Sequence, residues 1–499
     1  MSVPSQARPR LRFTGLSWGH LVLLFLALAV LFLGSDGLSA PIALRDEARN
    51  ANNALDMALS GFGLVVTYDF RPDLWNTKPP LAIWLMSGSL RLFGPSEWAL
   101  RLPSALAALG TLATTLWFVR KVTGSRGLAI GSAILLLLSP GFFGEHGART
   151  ADFDATLLFF VTAGLQLLYL ALLKRRPSWQ LLLASGALVG LGALTKSIAA
   201  FIPVTGILLF ILLAGRFGRV LSQWQRYALA AAAALLPLLA FYAAREAVGP
   251  GYLAAVAYND VVGRLTESLI TRSTWTFYFE HLGKGWFFAG PLLVALPLGL
   301  RGLNRRERVL ALYTGCILVT ALLVYSVPTN RAMQYALPLF PWLAIIAAIA
   351  LKRLLDRYIV EPWTAGERLL PAALGLALCL IGSQLTARAM WWRYEGFPAR
   401  QHYALATYGD LFAALAARGV RDLIVVDPGT VRQEETGYAP LLRWHRLVWA
   451  GRGLEVTRLL AEPASFDRPI ASCEPEVFGK WRGPDVERVG LCAVRWPTR

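Results

Sequence analysis

The chain is a succession of long apolar runs joined by short basic connections. Apolar stretches fall at Trp18–Leu33, Leu102–Val119, Gly127–Phe143, Thr156–Leu173, Trp179–Leu194, Ile198–Ala214, Tyr227–Ala243, Trp286–Leu300, Val309–Tyr325, Tyr335–Leu351 and Leu370–Leu385. Each is near the ~17–25 residues a helix needs to cross hydrocarbon, where every backbone polar group must be bonded within the segment. Leu81–Phe93 is apolar too, but it is shorter and interrupted by Ser87, Gly88, Ser89 and Arg91. A run of about 10–14 residues reads as interfacial rather than spanning. The pattern predicts an all-α polytopic membrane protein with about 11–13 transmembrane helices.

Charge orders these runs. With the N-terminus cytoplasmic and Leu81–Phe93 on the outer surface, Arg120/Lys121/Arg126, Lys174/Arg175/Arg176, Arg216/Arg219/Arg226, Arg301/Arg305/Arg306/Arg308 and Lys352/Arg353/Arg357/Arg368 all fall inside. That is where basic loops belong. If Leu81–Phe93 spanned, every later cluster would fall outside. Arg8, Arg10 and Arg12 precede the first run, which reads as an uncleaved helix serving as its own targeting signal.

Two outer segments are long, Leu38–Arg101 and Ala244–Lys284. The first holds an amphipathic helix at Ala48–Leu59, an extended stretch at Val65–Pro80, and the Leu81–Phe93 helix opened by Pro79-Pro80. Both helices are expected to lie flat at the membrane surface and roof a cavity. After Arg388 the pattern changes to a helix at Tyr403–Arg418, a strand at Asp422–Asp427 closed by Pro428-Gly429, and strands at Leu441–Trp449, Ile470–Cys473 and Arg488–Arg495. The expected organisation is a membrane domain over 1–388 and a small soluble α/β domain over 389–499 on the outer side, with His402 and His445 as packing or surface residues.

Composition agrees with this picture. Apolar residues are 56% of 499 and charged residues 16%, with a formal net charge of +18. Basic loops against an anionic leaflet account for that charge. No stacking platform or basic helical stripe stands outside the apolar runs, so nucleic acid is not an expected partner. Cys316 and Cys379 fall in apolar helices; Cys473 and Cys492 in the tail are either a disulfide or two buried thiols.

The informative charges are those that break the positive-inside pattern. Arg49, Lys78, Arg149, Lys196, Arg264 and Arg331 map to the outer side, beside Asp46, Glu47, Asp152 and Asp154. Acids at a helix start also cap it and complement its dipole, a role open to Asp46, Glu47 and Asp154. A lipid-borne phosphate needs several donors and positive charge. Glycosyl transfer from it needs the leaving phosphate's charge stabilised and, for a hydroxyl acceptor, a carboxylate base. Asp152 and Asp154, with Asp46 and His146, are also a candidate divalent-metal set, although two carboxylates alone are few ligands. Lys196, in a short turn between apolar runs, must snorkel or pair. Tyr335 with Pro338 and Pro341 predicts a kinked segment around a cavity.

At these motifs the chain resembles the bacterial branch of the protein O-mannosyltransferase superfamily, which includes the lipid A aminoarabinose transferase. The matching stretches are Asp46-Glu47-Ala48-Arg49, Lys78-Pro79-Pro80-Leu81, Arg91-Leu92-Phe93-Gly94, Arg101-Leu102-Pro103-Ser104-Ala105, Leu194-Thr195-Lys196 and Tyr335-Ala336-Leu337-Pro338-Leu339-Phe340-Pro341. The resemblance implies a GT-C glycosyltransferase of the bacterial inner membrane that uses a polyprenyl-phosphate sugar and a lipid or glycan acceptor. It implies Asp46 as catalytic acid with Glu47 beside it, Arg49 and Lys78 on the donor phosphate, and Arg264 assisting. Arg149, Asp152, Asp154, Lys196, Arg331 and Tyr335 are further candidates. The lipid A enzyme has Phe-Glu before Lys-Pro-Pro where this chain has Asn76-Thr77, and its Arg-Pro-Asp appears as Arg149-Thr150-Ala151-Asp152. The alternatives are a flippase of lipid-linked sugars and a non-catalytic lipid-phosphate-binding subunit.

Overall fold

The computed structural model describes residues 17–34, 38–39, 42, 45–144, 146–262, 274–282, 287, 300, 302–328, 331–356, 407–432 and 435–497. The runs expected at Trp286–Leu300 and Leu370–Leu385 lie largely or wholly outside these residues, as does Arg264. Among the described residues six helices are long and apolar enough to span a membrane: Glu97–Thr123, Phe153–Leu173, Trp179–Phe201, Trp224–Val248, Arg305–Ser326 and Met333–Leu355. The helices at Trp18–Gly34 and Arg126–Leu137 are apolar and shorter. The protein is a mostly helical polytopic bundle with a small C-terminal sheet domain.

Small residues set how closely the bundle packs. A Cβ on Gly186 would lie 2.0 Å from the Ala230 carbonyl oxygen, so glycine there lets the Trp179–Lys196 and Trp224–Val248 backbones touch. Aromatic rings fill the centre: Tyr169 and Tyr313 lie 4.8 Å apart, Phe210 and Tyr313 5.0 Å, and the Tyr313 hydroxyl donates to the Leu165 carbonyl at 2.7 Å. At one end of the bundle Asn304 and Glu307 form a capping box, and Glu307 also pairs with Arg353. Arg216 and Arg226 donate to the carbonyls of Leu172 and Pro177. Basic clusters predicted to share a face therefore meet in space.

The first long outer segment folds largely as its pattern requires. Helices run over Arg45–Ser60 and Leu81–Phe93, separated by a small hairpin pairing Thr67–Tyr68 with Arg71–Pro72. Arg91 donates to the carbonyls of Met57 and Ala58, satisfying the end of the first helix. That helix does not lie on a surface with a solvated polar face. Asn50, Asn52, Asn53 and Asp56 are as buried as Ala48, Ala51 and Ala54, because Pro440 and Arg443 of the C-terminal domain engage Asn52 and Asp56 while Asn50 bonds to Ala151 and Asn53 to Thr67. One apolar cluster accordingly runs from Ala51, Met57 and Ile83 into Leu411, Trp444 and Val494.

In the C-terminal domain a five-stranded sheet has the order Glu455–Leu459, Asp422–Val426, Ile470–Ser472, Cys492–Arg495, Val486–Val489. The first three strands are parallel and the last two antiparallel. The stretch expected as a strand at Leu441–Trp449 is instead a helix over Pro440–Ala450. Its apolar residues Leu441, Trp444 and Val448 recur at helical spacing, and Pro440 occupies the first turn, where its missing N–H costs nothing. Cys473 and Cys492 form a disulfide between the end of one strand and the start of its neighbour.

Candidate active site

Segments far apart in sequence converge at the end of the bundle that carries the surface helices. The Phe153–Leu173 helix starts there, capped by Asp152, whose carboxylate accepts the Phe153 N–H at 2.7 Å. A cap residue has extended backbone outside the helix, as Asp152 has, and this leaves Asp154 free to project from the first turn. Asp154 is thus not the cap its position suggested. It takes both of its contacts from Lys196, the last residue of the Trp179–Lys196 helix, whose ammonium donates to the two carboxylate oxygens at 2.6 Å each. Lys196 pairs rather than snorkels.

Lys78 arrives from the opposite side. Asp73 accepts the N–H groups of Trp75 and Asn76 at 3.0 and 3.1 Å, Asn76 donates to Asn53 at 2.8 Å, and the Tyr252 hydroxyl donates to the Thr77 carbonyl at 2.7 Å. The segment so fixed presents Lys78 to Asp260, with Thr77 donating to the other Asp260 oxygen at 3.2 Å. Asp260 sits in a π-helical turn, Ala257–Val262, a widened turn frequent at functional sites.

Between the two ion pairs is a cavity of about 270 Å³. Lys78, Asp154, Lys196, Asp260 and Tyr335 are polar residues of its lining, and Ile198, Ile202 and Val324 line it with aliphatic side chains. The Lys196 ammonium lies 5.6 Å from the Tyr335 ring centre. Ser197, at the rim, holds a left-handed backbone (φ 54°), a conformation that costs about 1 kcal/mol or more for a non-glycine residue and clusters at functional sites.

The remaining predicted residues surround this cavity in distinct ways. Asp46 opens the Arg45–Ser60 helix, is 53% exposed and lies 3.6 Å from Arg49. Glu47 points the other way and is buried. Its carboxylate takes Arg101 at 2.6 and 3.0 Å and the Ala151 N–H at 2.9 Å, tying three segments together. One turn beyond Asp46, Asn50 donates to the Ala151 carbonyl at 3.2 Å and to Asp152 at 3.4 Å. Arg149 is buried with its guanidinium 5.8 Å from the Phe143 ring centre. Arg331 donates to the carbonyls of Ser326 and Thr274, joining a helix end to a loop, and does not line the cavity.

His146 completes the polar network by pairing with Asp152. Burial pulls its pKa down, but the Asp152 hydrogen bond and the charges of Asp152 and Asp154 win and raise it to about 9. His146, Asp152 and Asp154 offer ligand atoms within 4.8 Å of one another. The donor set suits a divalent ion, yet His146 and Lys196 already neutralise the two carboxylates, so an ion would compete with two resident cations.

Lys78, Asp154, Lys196 and Tyr335, all read from sequence, therefore share one cavity. Asp260 was missed, although it stands four residues before Arg264 in the second long outer segment. Its partner, Lys78, is 182 residues away, so no local pattern marks the pair. Arg101 was recognised as a motif residue but not as the partner of Glu47.

The family described as dolichyl-phosphate-mannose-protein mannosyltransferase matches residues 77–242. An uncharacterised protein of Aquifex aeolicus is 30% identical over 194 residues, 38% of this chain and 37% of that protein's length. The chain thus spans little more than a third of that relative. An undecaprenyl phosphate-alpha-4-amino-4-deoxy-L-arabinose arabinosyl transferase of Erwinia tasmaniensis is 26% identical over 330 residues, 62% of this chain and 56% of the relative. Among solved structures, ArnT from Cupriavidus metallidurans bound to undecaprenyl phosphate has a TM-score of 0.64 at 18% identity, covering 95% of this chain and 97% of ArnT. At that identity the likeness is one of fold.

Proposed function

The fold and these matches support a member of the GT-C glycosyltransferase superfamily, and on that premise we propose transfer of a sugar from a polyprenyl-phosphate donor to a hydroxyl acceptor at the periplasmic face of a bacterial inner membrane. The observation that carries this reading is one cavity lined by two lysines together with aliphatic side chains. A lipid phosphate combines those two demands in one molecule: charge at its head and hydrocarbon immediately behind it. Lys78 would exchange Asp260 for the donor phosphate, and Lys196, held by Asp154, would add positive potential as the phosphate departs.

In the reaction the bond between the sugar's anomeric carbon and the phosphate oxygen breaks, and its electron pair leaves with the polyprenyl phosphate. The acceptor oxygen bonds to that carbon from the opposite face, inverting it, and its proton passes to a carboxylate. Asp46 is the assigned base, being the exposed carboxylate on the helix that Asn50 fastens to Asp152. Arg49, beside it, would face the donor phosphate. Glu47, locked to Arg101, would hold that helix in place. Acceptors of this class are lipid A or its core, a lipid-linked glycan, a cell-wall polysaccharide or a protein. Arg264 would assist on the phosphate from the second long segment.

A second assignment of the base rests on one observation: Asp154, unlike Asp46, lines the cavity itself. Transfer assays on purified protein with an undecaprenyl-phosphate sugar compare the two. Asp46→Asn is expected to lower kcat by about 10²–10⁴ with donor affinity within twofold. Full activity of Asp46→Asn together with inactivity of a folded Asp154→Asn would transfer the role to Asp154. Donor binding without transfer to any of the acceptor classes would favour a flippase or a binding subunit.

A further inference from the structure

A second cavity, of about 200 Å³, lies at the seam where the C-terminal domain meets the hairpin of the first outer segment. At ~30 Å³ per water it has room for about six waters, or one sugar-sized group. Three guanidinium groups line it, those of Arg443, Arg446 and Arg458, against one lining carboxylate, Asp69. Arg443 is committed: it donates to Asn52 at 2.8 Å, Asp56 at 2.6 Å and Asp69 at 3.1 Å, and packs over Tyr68, 5.3 Å from the ring centre. Arg458 donates to the Asp427 carbonyl at 3.0 Å. Arg446 is different. It is half-buried in the cavity wall, and among the described residues it has no hydrogen-bond or ion-pair partner. Partly buried charges are ordinarily compensated, because desolvation is costly.

The backbone here is unusual as well. Four non-glycine residues among those described have left-handed φ, and two of them, Asp69 and Phe70, form the hairpin turn at this cavity. Such a turn favours glycine or asparagine, so Phe70 in it is a held conformation. Asp56 accepts the Phe70 N–H at 2.9 Å, and Arg443 lies 5.7 Å from its ring centre. The other two, His146 and Ser197, border the first cavity's polar network. Among the described residues this strain thus falls beside the two cavities described here and the polar network of the first.

We propose that the seam cavity is a second anion site, which takes a phosphate- or carboxylate-bearing sugar, with Arg446 and Arg458 holding the anion and Tyr68 stacking on the ring. Its source is the acceptor glycan, an assignment that rests on the transferase reading above; the site itself does not. An acceptor gripped on the C-terminal domain would be oriented while its hydroxyl reaches the donor.

The test uses full-length protein in phosphatidylcholine nanodiscs and saturation-transfer NMR with three probes: glucose 1-phosphate, glucuronate and glucose. The two charged sugars should bind and glucose should not. Arg446→Gln and Arg458→Gln should each weaken glucose 1-phosphate by about tenfold or more, as loss of a charge-assisted hydrogen bond does, with an unchanged Tm. Lys78→Ala should leave that affinity within twofold. Equal binding of glucose, indifference to both arginine substitutions, or loss in Lys78→Ala would overturn the site. Displacement of the sugar by phosphatidylglycerol placed in the nanodiscs would overturn the glycan source. Unchanged undecaprenyl phosphate binding by Lys78→Ala would instead remove the donor-site reading and leave the seam site standing.

Discussion

Two sets of buried ion pairs stand close together in this fold and are built for different ends. Glu47 and Arg101 meet through two short contacts, with the Ala151 N–H on the same carboxylate and the Leu38 carbonyl on the same guanidinium. This pair lines neither of the two cavities described above. Lys78 with Asp260, and Lys196 with Asp154, are just as charged and nearly as buried, yet both pairs line one cavity together with aliphatic side chains. The chemistry of the side chains is the same in both places. What separates a brace from a binding site is room for a ligand and a charge balance that a ligand can replace.

The comparison breaks most sharply at Glu47. Glu47→Gln leaves the Arg101 guanidinium buried and half-compensated, and should lower unfolding stability by about 3–5 kcal/mol, measured by chemical denaturation in micelles. Donor affinity of the folded fraction should not change. If Glu47→Gln is as stable as the parent but inactive, the brace assignment is wrong. At the cavity the pattern should invert. Lys78→Ala should weaken undecaprenyl phosphate binding by about ten- to a hundredfold, the worth of a charge-assisted contact, with a smaller loss of stability than Glu47→Gln because Asp260 keeps its Thr77 hydrogen bond and borders the cavity.

The seam between the domains sharpens the contrast through pH. His445 is fully buried there, facing Glu97, Arg101 and Arg452, and burial depresses its pKa to about 4. The unfolded chain takes up this proton near pH 6.5 and the folded one only near pH 4, so stability is present above pH 6.5 and lost as pH falls through that window. By pH 5 the loss should be about 2 kcal/mol, and His445→Gln should flatten the profile. A profile identical in the two proteins would show that His445 does not report on the docked state. The smallest effect is expected at Asp260. Removing its charge frees Lys78 from a competitor, so Asp260→Asn should tighten donor binding by about three- to tenfold, provided the pair opens when the phosphate enters. Weaker binding would instead make Asp260 part of the donor site.

Much of the architecture was written in local pattern. The apolar runs, the interfacial Leu81–Phe93 helix and the basic ends follow from hydropathy and charge, which act over one helix length and need no partner. So does the gathering of Lys78, Asp154 and Lys196 at one end of the bundle. Leu441–Trp449 was misassigned because a short apolar run suits a strand as well as a buried helix, and only packing separates them. The supposed solvated face of the Arg45–Ser60 helix was likewise overturned by a partner far along the chain, since Arg443 and the Pro440 carbonyl engage Asn52.

By itself the sequence determined a polytopic helical chain with misplaced positive charge on one face, because the bilayer is a solvent whose demands are read residue by residue. Tertiary structure alone decided which of those charges are braces and which border a cavity. That choice depends on ion pairs between residues dozens to hundreds of positions apart, such as Lys196 with Asp154 and Arg443 with Asp56, and on the space left between them. Neither distance nor empty volume is a local property of the chain.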